Sequence, residues 1–149
     1  MNSIPVIFNM VLLICIIYAS AVGGKTGISG SIIFIAATLM TIAANRANPS
    51  WGDTAYGIFA VDVVCMIALA VVAIKSNRFW PIWAFGFQIC AIGTHIATIW
   101  MPDIVPRAYQ ALATFWSIPI LWVMVAGTRQ DRRYEMEMAK RAIQTAAHR

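Results

Sequence analysis

The sequence predicts an all-α fold: an integral membrane bundle of five transmembrane helices, N-out and C-in, with a short C-terminal cytoplasmic helix. Three observations predict it. First, 60% of the 149 residues are hydrophobic and only 11% are charged, whereas a soluble domain carries about a quarter charged residues. Small domains keep a large exposed fraction, so a water-soluble fold of this size cannot hide that much apolar surface. Second, five apolar stretches approach the roughly 20 residues that a spanning helix needs. Third, the basic residues segregate to one side of the implied topology.

The first stretch runs from about Ile4 to Val22 and stops at Gly23-Gly24-Lys25. No basic region precedes it, so it reads as a retained helix and not a signal peptide, although Ala19-Ser20-Ala21 offers small residues of the cleavage type. The second runs from about Ile28 to Asn45 and meets Arg46 and the loop signals Asn48-Pro49-Ser50. The third covers Ala55 to Ile74 and ends at Lys75-Ser76-Asn77-Arg78. The fourth covers Phe79 to Met101 and ends at Pro102-Asp103. The fifth covers Ala108 to Thr128 and runs into Arg129. Residues 1–128 thus form one transmembrane domain, and 129–149 form a polar helical tail.

Orientation follows from charge. With the C-terminus inside, the cytoplasmic side holds Lys25, Lys75, Arg78 and the basic tail, and the outer side holds only Arg46 and Arg107. The positive-inside rule selects this arrangement. Trp51 and Trp100 then fall near the outer interface, and Trp80 and Trp83 near the inner one. The expected location is the inner (plasma) membrane of a cell, as a multi-pass protein.

The net charge of +5 does not mark a nucleic-acid binder. The tail interleaves Arg129, Arg132, Arg133, Lys140 and Arg141 with Asp131, Glu135 and Glu137. Lipid head groups explain these charges better than phosphodiesters do. Cys15, Cys65 and Cys90 all lie in apolar runs and read as free packing thiols.

The residues that carry chemistry are the polar ones inside the spans. A charge at mid-bilayer costs about 2.5 to 3.5 kcal/mol on insertion scales and needs a partner. The spans hold one carboxylate, Asp62, one imidazole, His95, and the amides Asn9 and Gln88. At 1.5 Å per residue these lie at similar depth: Asp62 about 10 Å, His95 roughly 9 Å and Asn9 about 7 to 8 Å from the outer ends of their helices. The third and fourth helices are joined by a short turn and so are antiparallel neighbours. On the fourth, Ala84, Gln88, Ala91 and His95 share one face, and the small residues Gly86, Cys90, Gly93 and Ala97 share the opposite one. Small residues at this spacing allow close helix approach, so this helix is expected to be central.

Two readings follow. In one, Asp62 and His95 form a proton-bearing pair on a pathway or binding cavity, with Gln88 and Asn9 as hydrogen-bonding neighbours. In the other, they form a polar clamp between helices. Pro119 interrupts the fifth span and is flanked by Trp116 and Trp122, which predicts a kink and an aromatic pocket beside the polar stripe. No cofactor is expected. A haem or porphyrin would need a second axial ligand beside His95, and only Met66 or Met101 is formally at hand. Zinc needs three or four ligands. No nucleophile motif or phosphate loop is present, so an enzyme is not expected.

The number of spans, the length and the six tryptophans resemble the tryptophan-rich sensory proteins, which bind porphyrins and sterol-like ligands. The resemblance covers size and topology. The Trp-x-Pro-Pro pattern of their first loop is absent, so no residue is carried across. The chain also resembles small multi-span bacterial inner-membrane proteins in general. The function expected is a small binding or translocation unit for protons or a small apolar ligand, working as a homo-oligomer. The alternative is an accessory or assembly subunit of a larger membrane complex.

Overall fold

A computed structural model describes residues 3–47, 56–100 and 106–147. Asn48, Pro49, Ser50, Trp51, Ala55, Met101, Pro102 and Asp103, named above, lie outside the described residues. Among these the fold is all-helical: α1 (Ser3–Val22), α2 (Gly24–Ala47), α3 (Tyr56–Lys75), α4 (Trp80–Trp100) and α5 (Pro106–Ala147). Each helix packs on its neighbours in chain order, and α5 returns to α1, so the bundle closes into a ring.

Two helical segments among the described residues, Gly24–Ala44 and Tyr56–Lys75, are long and apolar enough to cross a membrane. Val6–Val22 is a shorter apolar helix. The expectation of five such spans is met at this level by two. In α4 the apolar run is diluted by Gln88, Thr94 and His95.

The expected helical tail is the continuation of α5. α5 runs unbroken for 42 residues through Pro119, about 63 Å at 1.5 Å per residue. Beyond Asp131 every described side chain on it is exposed. The break between α1 and α2 is tighter than expected, and α2 starts at Gly24. Gly24 takes a φ of 56°, a left-handed conformation that glycine adopts without the Cβ clash of other residues.

The end of the bundle at the α1–α2 turn is closed by Trp80. Of the two tryptophans expected near the inner interface, Trp83 is exposed and Trp80 is only 2% exposed. Its ring inserts where α2 and α5 present glycines. A Cβ on Gly30 would lie 2.5 Å from the ring tip, and one on Gly127 would overlap the Trp80 Cβ. The core continues through Ala19, Leu69, Ala84 and Met124, all fully buried.

Arg78, in the α3–α4 turn, ties that end to α5. It pairs with Asp131 at 3.4 Å and donates to Glu135. Partial burial holds the Asp131 carboxyl above the usual carboxylate range, against the opposing pull of the Arg78 guanidinium. A carboxyl raised in the folded state binds its proton more tightly there than in the unfolded chain. Its contribution to stability is full below the unfolded carboxylate range and is lost as pH rises through the raised folded value.

Thermal unfolding in detergent tests this description. Gly127→Ala is expected to destabilise by about 1 to 3 kcal/mol through overpacking against Trp80, whereas Gly86→Ala, whose Cβ meets nothing within 4 Å, leaves stability unchanged or higher. Asp131→Asn is expected to leave the unfolding temperature near pH 7 unchanged or raised, because the ionised form is the disfavoured one. Glu135→Gln lowers stability by less than about 1 kcal/mol, the usual range for an exposed pair.

Candidate functional site

The α4 stripe expected from the sequence faces inward. Ala84, Gln88, Ala91 and His95 are all buried, because positions three and four apart stack on one helix face. α3 buries Val61, Cys65 and Leu69, and this phase brings Asp62 to the α4 side. His95 Nε2 lies 2.7 Å from Asp62 Oδ2, and Gln88 Nε2 donates to Asp62 Oδ1 at 3.1 Å. Gln88 and His95 stand two helical turns apart and grip the carboxylate from either side. With the carboxylate ionised, Nε2 must carry the hydrogen and donate. Phe59 meets the His95 ring edge-on at a centroid distance of 5.8 Å.

Exposure is divided unequally within the pair. The His95 side chain is 2% exposed and that of Asp62 is 27% exposed. The imidazole is sealed behind the carboxylate, and the carboxylate faces open space. That space is a cavity of about 440 Å³ that all five helices line. Its polar wall is Asp62, Gln88, His95 and Asn9, with Thr38, Thr41 and Ser117. Phe8, Leu12, Phe34, Ile42, Ile58 and Ile120 supply much of the apolar wall. The layer inferred from helix depth is therefore one surface: Asn9 from α1, Asp62 from α3, and Gln88 and His95 from α4.

The aromatic pocket expected around Pro119 is not formed. α5 turns Ser117, Ile120 and Leu121 toward the cavity. At 3.6 residues per turn this leaves Pro119 on the far side and Trp122 about 140° from Ser117. Trp122 is 69% exposed and borders a surface hollow with Arg129 and Arg133. Trp116 joins α5 to α4 instead. Its Nε1 donates to Thr94 Oγ1 at 3.0 Å, and its ring stacks on Phe87.

The expected central position of α4 also needs correction. Among the described residues, nothing comes within 4 Å of a Cβ built on Gly86 or Gly93, and Cys90 and Ala97 are exposed. The small-residue stripe faces outward, because α3 and α5 both pack on the inward half of α4. Cys90 is therefore not a packing thiol within this chain, unlike buried Cys65.

Sequence reasoning missed Thr38, Thr41 and Ser117 as cavity residues. Hydroxyls in apolar helices are common and carry no phase signal of their own. The α2 pair could have been found only by knowing which face of α2 meets α3.

Comparison with known protein families, with curated proteins and with solved structures finds no match to this chain. The chemistry of the cavity therefore carries the functional reading.

Proposed function

We propose that this chain is a five-span integral membrane bundle, N-out and C-in, that binds a proton or small ligand in the cavity beside Asp62 and His95. The observation that carries the reading is the 2.7 Å Asp62–His95 contact on the wall of a cavity of about 440 Å³. A clamp that served only to join helices would be expected in a dry contact. Here the carboxylate borders a space within the size range of small-molecule pockets, about 300 to 1,000 Å³.

Membrane placement draws support from the outer surface. Ile14, Ile17, Ile32, Leu39, Val64 and Ile67 are exposed on the first three helices, and Ile82, Ile89 and Ile118 on the last two. Soluble monomers rarely expose contiguous apolar patches of such extent. The charge distribution supports the orientation, and the cavity then belongs to the outer half of the bilayer.

Asp62 is the charge or proton acceptor in this reading. His95 is its titrating partner, since imidazole is the side chain suited to gain and lose a proton near neutrality. Gln88 fixes the carboxylate, and Asn9 borders the same space from α1. The second reading, an accessory subunit in a larger membrane complex, is favoured by the outward small-residue stripe of α4 and the exposed α5 extension. Both are surfaces on which another helix fits.

Native mass spectrometry of the chain extracted from its own membrane in mild detergent separates the two. A small molecule retained by the wild type and lost in Asp62→Asn is the expected result. A stoichiometric partner protein with no retained molecule would favour the accessory role.

A further inference from the structure

The cavity has a defined charge, and the charge limits what it binds. From α3 it receives the Asp62 carboxylate and the Cys65 thiol, and from α4 the His95 imidazole behind that carboxylate. α1, α2 and α5 bring no ionisable group to it among the described residues, only Asn9, Thr38, Thr41 and Ser117 as polar side chains. The site therefore carries one negative charge when the Asp62–His95 pair holds a single proton. It is neutral when the pair holds two.

The carboxylate has capacity to spare. An ionised carboxylate offers about four lone-pair directions. Two side-chain donors, His95 Nε2 and Gln88 Nε2, use two of them, one on each oxygen. The remaining directions belong to the part of Asp62 that is exposed to the cavity. Phe8 and Phe34 line the same space, and aromatic faces attract cations. The rest of the wall is largely aliphatic.

Resting on the reading of this cavity as a binding site, we propose that its ligand is a small amphiphilic organic monocation, exchanged against one proton. The cationic group sits at Asp62, and the apolar body lies against Phe8, Phe34, Leu12 and Ile58. Binding occurs when the pair carries its negative charge. When the pair takes up a second proton, the site becomes neutral and the cation leaves. One positive charge replaces another, so the cavity keeps its net charge throughout. His95 acts on the ligand through the carboxylate, as the more deeply buried member of the pair.

Isothermal titration calorimetry on the full chain in mild detergent, with empty-micelle blanks, tests the charge class. The probes are benzyltrimethylammonium, its neutral carbon isostere neopentylbenzene, and benzylsulfonate. The quaternary ammonium does not titrate, so any pH dependence of its binding belongs to the protein. The cation is expected to bind at least about tenfold more tightly than the other two. Its affinity is expected to fall on acidification, with a limiting slope of about tenfold per pH unit for one competing proton. Asp62→Asn should bring the cation down to the affinity of the neutral isostere. His95→Gln should keep cation selectivity while flattening the pH response, which a purely structural clamp would not do. Equal binding of cation and neutral isostere would overturn the charge class and leave the cavity a binding site. Cation binding that does not change with pH would overturn the proton exchange. Binding of none of the three probes would overturn both this proposal and the cavity reading beneath it.

Discussion

A carboxylate placed within an apolar helix must be satisfied by something that the fold supplies. Asp62 is that carboxylate, and α4 supplies the partners. Gln88 and His95 lie on the same face two turns apart, and each donates to a different oxygen of Asp62. Meeting both donors at once fixes how far α3 slides along α4 and which faces they present. A charge buried without such partners would cost several kcal/mol. The register of these two helices, and with it the mouth of the cavity, depends on this one clasp.

The two ends of the bundle are built differently. At the α1–α2 turn the helices approach closely, with Trp80 wedged between Gly30 and Gly127 and with buried Ser31 donating across to the Ile16 carbonyl at 3.2 Å. Small residues permit close contact there, and the ring fills what space remains. At the other end, hydroxyls, amides and aliphatic side chains leave a cavity. The tight end sets the ring of helices, so the open end can hold space without collapsing. The Arg78 contacts to α5 reinforce the tight end from outside.

Much of the site was legible in the sequence because it rests on helix periodicity and length. The Gln88–His95 stripe follows from 3.6 residues per turn. The Asp62–His95 contact follows from depth along antiparallel neighbours. What was not legible depends on rotation about helix axes and on long-range partners. Trp116 and Trp122 flank Pro119 in the chain, yet helical phase sends one to Thr94 and the other outward. Trp80 stands three residues from exposed Trp83 at the same helix start, but it faces the glycines of two distant helices. The α4 small-residue stripe could have faced a sixth helix or lipid as readily as a helix of this bundle.

The central claim is that His95 donates from Nε2 to the Asp62 carboxylate. Nitrogen NMR of the imidazole tests it most directly, using a chain with His148→Gln so that a single histidine remains. At a pH where the ring is neutral, the account predicts a hydrogen on Nε2, with a shift that changes in Asp62→Asn. A neutral ring with its hydrogen on Nδ1, and a spectrum indifferent to Asp62→Asn, would contradict it.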